Sequence, residues 1–423
     1  MMKRRSAAVT VLLLAALSSS AQHVWSLEEC ISTALDRNVT FLRQENAVMI
    51  AKAGYSGSVA DVFIPTLEAG STMERPDGDL SLSFCASYSI LDGLSKYSAL
   101  KAEKAALEIS VLERESLKDD LSVKVARAYV QLLLSKRLEQ DAALDYNSIL
   151  EQRGKIRKEV DAGKRAPGEL YEIESRAATE LFEQISAHGK TESDRLTLLE
   201  AMGIPYEQDF DICSPEAGNL PDIRQLPGPE EIAMMARQQP RVRKAAATIE
   251  KCRAQRTAAI GALLPTLDIS YSGAAWHSES LEGGFAGQVK ESFTPRLALT
   301  LAIPLSGGAG PAVRLQQSRL AMRSVELDNE REAEEVYCML RALVIEAQVG
   351  YGKCIAAETG MKAAAEALRV AQTRMENGVI PMSEYNTARN NYAVARSQWH
   401  QARFQYMFGI KILDYYRGLP LTL

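Results

Sequence analysis

The stretch from Leu94 to Val160 constrains this chain more than any other: 67 residues without a proline and with one internal glycine, Gly154. Good helix formers fill it, as in the run Leu100-Lys101-Ala102-Glu103-Lys104-Ala105-Ala106-Leu107-Glu108. Apolar residues recur at three- and four-residue steps through Leu121, Val125, Ala128 and Leu132, which gives the helix one apolar stripe. At about 1.5 Å per residue such a helix is roughly 100 Å long. A lone helix of that length must pack along others. The same design returns between Ala312 and Asn377. The apolar fraction of 46% is ordinary, but only 6% is aromatic, which suits long Ala- and Leu-rich helices better than a compact enzyme core.

Order along the chain shows that it is written twice. Leu27-Glu28-Glu29-Cys30-Ile31 with Ala34 and Asn38 is echoed by Pro229-Glu230-Glu231-Ile232 with Ala236 and Pro240. Phe63-Ile64-Pro65-Thr66-Leu67-Glu68 returns as Leu263-Leu264-Pro265-Thr266-Leu267-Asp268, and Leu91-Asp92-Gly93 as Leu305-Ser306-Gly307. Gly163 with Glu169-Leu170 matches Gly378 with Glu384-Tyr385 at the same spacing. The division is therefore a leader at residues 1–21, a first copy at 22–204, a connector at 205–228 and a second copy at 229–423. The stretch Pro205–Gly228, rich in Pro, Asp and Gly, reads as irregular.

The leader carries the marks of a secretory signal peptide. Lys3, Arg4 and Arg5 form a basic end, Ala7–Leu17 an apolar core and Ser19-Ser20-Ala21 a small-residue cleavage site. Removing it takes the net charge from -5 to about -8. No basic patch interleaved with aromatics appears, which argues against nucleic-acid binding. Beyond the leader no apolar run reaches the length of a membrane helix. The six cysteines (Cys30, Cys85, Cys213, Cys252, Cys338, Cys354) show no CxxC spacing and read as small buried apolar residues, with an oxidised pair left open.

Each copy reads helix, strand, strand, long helix, turn, helix. The first helix, Leu27 to Val62, is expected to bend near Asn38 and to stop at Pro65. The strand Thr66–Glu74 follows, then the hairpin turn Arg75-Pro76-Asp77-Gly78. In the next strand Leu80, Leu82, Phe84, Ala86, Tyr88 and Ile90 alternate with Ser81, Ser83, Cys85, Ser87 and Ser89. One face is apolar and the other is small and polar. In a membrane barrel the apolar face meets lipid and the serines meet a watery lumen. The second copy repeats the pattern. Leu267, Ile269, Tyr271 and Gly273 alternate with Asp268, Ser270 and Ser272; Phe293, Leu297, Leu299, Leu301 and Ile303 oppose Thr294, Arg296 and Thr300. Four strands cannot close a barrel and lipid tolerates no open edge, so strands in a membrane imply several chains sharing one barrel. The turns Gly163-Lys164-Arg165-Ala166-Pro167 and Gly378-Val379-Ile380-Pro381 place a glycine at a helix end and a proline in the first turn of the next helix. The returning helices are expected from Pro167 to Met202 and from Pro381 to about Tyr415.

No catalytic constellation, cofactor motif or metal site is legible. His23, His188, His277 and His400 are scattered without ligand spacing. Gly283-Gly284-Phe285-Ala286-Gly287 with Lys290 lacks the Gly-Lys-Ser/Thr of a phosphate loop and reads as a surface loop. Gly307-Gly308-Ala309-Gly310 is a strand-to-helix turn outside any dinucleotide-binding context.

The ordered, duplicated motifs make the whole mature chain resemble the outer-membrane efflux protein (TolC) family. Pro65-Thr66-Leu67 and Pro265-Thr266-Leu267 carry the resemblance, with Pro304-Leu305-Ser306-Gly307-Gly308 and the Gly163…Glu169-Leu170 and Gly378…Glu384-Tyr385 turns. The first copy departs from the pattern: Ser89-Ile90-Leu91-Asp92-Gly93-Leu94 lacks the second glycine, and its helix turn is one residue longer before the proline. The resemblance implies a mainly α fold with a membrane β-barrel portion. In it a homotrimer gives four strands per chain to a twelve-stranded outer-membrane barrel, and the helices form a coiled-coil-like barrel in the periplasm. It also implies a passive, non-enzymatic exit duct for drug efflux or type I secretion, docked to a periplasmic adaptor and an inner-membrane pump. Glu384 then corresponds to an acid facing the tunnel at its closed tip, where three copies form an anionic ring; the plainer reading is a first-turn acid complementing its helix dipole. Gly163, Glu169, Gly378 and Pro381 fall at helix tips where an adaptor docks. Leu80, Leu82, Phe84, Tyr88, Leu297, Leu299 and Leu301 face lipid. A periplasmic adaptor or coiled-coil scaffold is the alternative, but it calls for one hairpin and a lipoyl-like β-domain; a soluble exported enzyme calls for a pocket of convergent titratable residues.

Overall fold

The computed structural model describes residues 24–74, 79–205, 210–213, 223, 226–278, 284–305 and 309–422. The leader, the turn Arg75–Gly78, most of the connector and Ser306-Gly307-Gly308 lie outside the described residues.

Helices dominate, and the two copies share one element order apart from a short extra helix between the strands of the second. The first runs α1 (Leu27–Arg37), α2 (Val39–Phe63), β2 (Thr66–Glu74), β3 (Asp79–Asp92), α3 (Ser95–Asp161) and α4 (Pro167–Met202), preceded by the two-residue β1 (Val24–Trp25). After β4 (Asp211–Ile212) the second runs α5 (Pro229–Gln238), α6 (Pro240–Gly261), β5 (Thr266–His277), α7 (Phe285–Ser292), β6 (Thr294–Ala302), α8 (Gly310–Glu376) and α9 (Met382–Tyr416). Both long helices, α3 and α8, are 67 residues.

Where a bend was expected near Asn38 there is a break between two helices. Asn38 is extended (φ -66°, ψ 117°), and its Oδ1 accepts the backbone N–H of Thr40 at 3.0 Å, starting α2 as α1 ends. The second copy makes the same break with Gln239 extended and Pro240 opening α6, where a missing N–H costs nothing. α1 begins with a capping box between Ser26 and Glu29.

Two compact units form, and each draws on both copies. One holds residues up to Leu42, Leu117–Met235 and Tyr337 onward. In it Leu27, Cys30 and Ala34 of α1 pack on Val125, Tyr129 and Leu132 of α3 and on Leu198 and Met202 of α4. The described part of the connector joins this core: Phe210 and Ile212 are buried, and β4 pairs in parallel with β1. The Tyr129 hydroxyl donates to the Cys213 carbonyl (2.8 Å) and lies 3.1 Å from that of Trp25, and burial raises its pKa.

The other unit holds Arg43–Ser116 and Ala236–Val336. Its four strands form one antiparallel sheet in the order β2-β3-β5-β6. Chain exit from β3 uses a backbone-to-backbone contact. Gly93 sits at φ +60°, and a Cβ there would lie 2.3 Å from the Gly261 carbonyl oxygen. A Cβ on Gly261 would meet the Gly93 oxygen at 1.7 Å, so only glycine fits either position. Asp92 then caps α3 by accepting the Lys96 N–H at 2.5 Å.

Three local expectations are corrected. The loop expected at Gly283–Gly287 gives way, from Phe285, to the eight-residue helix α7. It is held where Gln288 Oε1 accepts the Ser278 N–H at 2.9 Å and the Phe285 ring meets His277 edge-on at 5.3 Å. A bulge between Ser89 and Leu91 puts Leu91, not Ile90, opposite Leu267. Pro381 is the N-cap of α9 and lies just outside it, whereas Pro167 is inside α4 at its first turn.

Candidate functional site

Two places collect the residues that the sequence singled out: the sheet and the paired helix turns.

In the sheet, directly opposed residues share a face. Leu82 opposes Ala275, Phe84 opposes Gly273, Ala86 opposes Tyr271 and Tyr88 opposes Ile269. Across the next ladder Leu267 opposes Leu301, Ile269 opposes Leu299 and Tyr271 opposes Leu297. Met73 opposes Leu80, and Leu67 opposes Ala86. Register therefore assembles Leu80, Leu82, Phe84, Tyr88, Leu297, Leu299 and Leu301 on one continuous apolar face. Its outer strands are the most exposed, with Leu297 70% exposed, Leu299 66% and Leu67 65%, while Leu80, Leu82 and Tyr88 are half-buried. The same face shows why Gly273 is glycine, since the Phe293 ring covers it and a Cβ would lie 2.3 Å from that ring.

The other face is polar. Ser81, Ser83, Cys85, Ser87 and Ser89 of β3 stand beside Asp268, Ser270 and Ser272 of β5, and Arg296 and Thr300 of β6. Ser83 Oγ donates to the Gly70 carbonyl at 3.4 Å, Ser81 Oγ to that of Thr72 at 3.3 Å, and Ser89 to Asp268. Trp276, opposite Ser81, is the large exception. At one end of the apolar face the Tyr88 hydroxyl donates to the Val62 carbonyl at 2.9 Å, and Lys96 Nζ lies 4.3 Å from its ring centre.

Both outer strands are open. β2 and β6 have no partner on their outer sides among the described residues, and alternation through β3 and β5 makes them antiparallel to each other. The β6 edge of one copy can thus continue, antiparallel, onto the β2 edge of another. Among the described residues no helix is long and apolar enough to cross a membrane.

The turns after α3 and α8 are built alike. Gly163 and Gly378 both have φ 70°. Lys164 N–H reaches the Glu159 carbonyl at 2.8 Å, and Val379 N–H reaches that of Arg374 at 2.8 Å, closing each helix with the same six-residue bond. Beneath the turns one apolar cluster serves both copies: Ile149, Ile156, Ile173 and Ala177 from the first with Ala371, Ile380, Met382 and Tyr385 from the second. Gln152 Nε2 also donates to the Tyr385 hydroxyl at 2.8 Å. Glu169 and Glu384 stand in the first turns of α4 and α9. Arg165 holds Glu169 (2.8 Å) and Glu159 (2.6 Å), while Glu384 faces Arg374 at 3.8 Å.

Farther along α3 and α9 lies an ion cluster that the sequence reading did not anticipate. Asp141 and Asp145 of α3 meet Arg389, Arg396 and His400 of α9: Arg396 reaches Asp145 at 2.5 Å, Arg389 the Asp145 carbonyl at 2.6 Å and His400 Nε2 Asp141 at 3.2 Å. Arg137 adds to Asp141 at 3.8 Å. Asp141, Arg389 and His400 are each at most 6% exposed. Burial opposes ionisation of Asp141, but the His400 hydrogen bond and the charges of Arg396 and Arg137 outweigh it and hold its carboxyl below the usual range. The signal was present as charged residues at four-residue steps on α3 and at seven- and four-residue steps on α9, a pattern that a solvated helix face also produces.

Comparison with known proteins gives this geometry a context. Residues 232–407 match the family described as outer membrane efflux protein. No curated protein matches the chain in sequence. Among solved structures it resembles the Campylobacter jejuni CmeC outer membrane channel (TM-score 0.81, 14% identity, 93% of this chain and 85% of that one). It also resembles the Vibrio cholerae outer membrane protein VceC (0.79, 14%, 93% and 96%) and the open-state Neisseria gonorrhoeae MtrE outer membrane channel (0.78, 18%, 94% and 90%). Likeness at that identity concerns the fold alone, which this chain shares with those channels over both copies.

Proposed function

We propose that this efflux-protein chain is a passive outer-membrane exit duct of a tripartite efflux pump or type I secretion system, working as a homotrimer with a periplasmic adaptor and an inner-membrane pump. One observation carries the reading: a four-stranded sheet with an apolar face exposed along its outer strands, a polar opposite face and two open edges of opposite direction. In water that face and those edges would be an aggregation hazard. In the outer membrane the face meets lipid, three copies close the edges, and the serine face lines an aqueous lumen. The efflux-domain match and the outer-membrane channels of the same fold support the location in a Gram-negative envelope, with the helices extending into the periplasm.

In this reading the tips at Gly163, Glu169, Gly378 and Pro381 receive the adaptor. A groove of about 1040 Å³ between α4 and α9, lined by Glu172, Arg176, Glu180, Asn386 and Asn390, offers the docking a polar track. Glu384 faces the constriction. Transport energy comes from the pump. The adaptor alternative is less well supported, because two hairpins and a sheet shared between copies replace its single hairpin and separate β-domain.

Envelope fractionation of cells expressing the full chain tests the location. The protein is expected in the outer membrane and to need detergent for extraction. Recovery in the soluble periplasmic fraction would remove the basis for a duct.

A further inference from the structure

We propose that Arg374 is the counter-ion of Glu384 and sets the charge selectivity of the duct, making its constriction nearly neutral and open to anionic and zwitterionic cargo as well as to cations. This rests on the reading above, in which Glu384 faces the constriction.

Superposing the turn glycines Gly163 and Gly378 puts Glu159 against Arg374 and Glu169 against Glu384. The first copy therefore has two acids at these positions, and the turn itself supplies their cation: Arg165 Nε meets Glu159 at 2.6 Å and Arg165 Nη1 meets Glu169 at 2.8 Å. The second copy has no cation in its turn. Val379 and Ile380 stand where Lys164 and Arg165 stand in the first, and Ile380 is buried in the apolar cluster beneath. The cation comes instead from the helix, as Arg374 in the last turn of α8. Both hairpins thus compensate their first-turn acid, by different routes.

The two pairings differ in tightness, and that difference bears on function. Arg165 is clamped by short bonds at both ends. Arg374 Nη1 lies 3.8 Å from Glu384 Oε1, with side chains 51% and 56% exposed. An exposed pair at that distance adds little to stability. Its effect is on the field that a passing ion meets. The two charges are closer together than the screening length of about 8 Å at physiological salt, so an ion beside Glu384 also senses Arg374. The other acid of this turn, Glu376, accepts a bond from Gln372 at 3.1 Å, which leaves its charge in place, so the offset concerns Glu384. With three copies around an axis, three arginines offset three glutamates. A ring of glutamates alone would favour cations and repel anions.

Reversal potentials of the full-length protein in planar bilayers under a potassium chloride gradient test this. Each variant is first checked on a gel for the wild-type oligomer band. Arg374→Gln is expected to shift the reversal potential toward cation selectivity and Glu384→Gln toward anion selectivity. Arg374→Lys, which keeps the charge, is expected to match wild type. The swap of Arg374→Glu with Glu384→Arg is expected to return near wild type, and it decides the matter should Arg374→Gln fail to assemble. A shift with Glu384→Gln but none with Arg374→Gln overturns the counter-ion role while leaving the duct intact. If neither single change shifts the potential, neither group lies at the constriction. A wild-type protein that forms no channel overturns the duct reading itself.

Discussion

Asp141 shows how single residues set the terms of this fold. A buried carboxylate costs free energy unless opposite charge stands close to it, and here His400 (3.2 Å), Arg396 (3.4 Å) and Arg137 (3.8 Å) supply it. Removing one member of such a buried set costs about 3–5 kcal/mol, because the remaining charge is left uncompensated. Asp141→Asn is therefore expected to lower the melting temperature at neutral pH. The pH window follows from the direction of the shift. The folded pKa lies below the ordinary 3.8, so the stabilisation is complete above that value and is lost as pH falls through the depressed one. Melting curves of wild type and Asp141→Asn should differ by a constant amount between pH 7 and 5, begin to approach one another only below about 4, and converge below the depressed pKa. A difference that already fades near pH 6 would mean that another group carries the effect. Glycine legibility divided in the same way. Gly163 and Gly378 were recognisable as helix caps because a cap is a local event. The mutual contact of Gly93 and Gly261 joins residues far apart in sequence, and nothing local in either segment marks it.

Among the elements, those governed by local rules emerged from sequence with near-correct bounds. β2 was expected at Thr66–Glu74 and α4 at Pro167–Met202, and both are observed there, because Pro65 and Pro167 fix their starts. The rods shift by only one or two residues at each end. Elements set by tertiary contact did not emerge. α7 depends on Gln288 and Phe285 meeting the end of β5, and the bulge at Ile90 depends on the β5 register. The ion cluster depends on which face of α9 meets α3. The two-faced sheet was legible strand by strand from its period of two, while the register between strands decides that all seven apolar residues share one face. Its two faces should respond oppositely to a charge. Leu299→Arg, at 66% exposure in the middle of β6, is expected to cost about 2–4 kcal/mol of membrane stability and to reduce the amount of assembled outer-membrane protein. Ser272→Arg, on the polar face one strand away, is expected to assemble normally. Equal yields of the two variants on heat-modifiability gels would show that Leu299 does not face lipid.

At the scale of the whole molecule, duplication gives two hairpins, two strand pairs and one sheet whose ends are complementary in direction. A single copy leaves the β2 and β6 edges without partners among the described residues, and lipid admits no such edge. Assembly is thus the central claim, and every role given to the lipid face, the lumen and Glu384 depends on it. The most direct measurement is the mass of the detergent-extracted, full-length protein by light scattering corrected for bound detergent. The account predicts a particle of three chains, each 46.4 kDa before leader removal, that falls to single chains only on heating. A monodisperse single chain that keeps its sheet in detergent would contradict the shared barrel and the duct built on it.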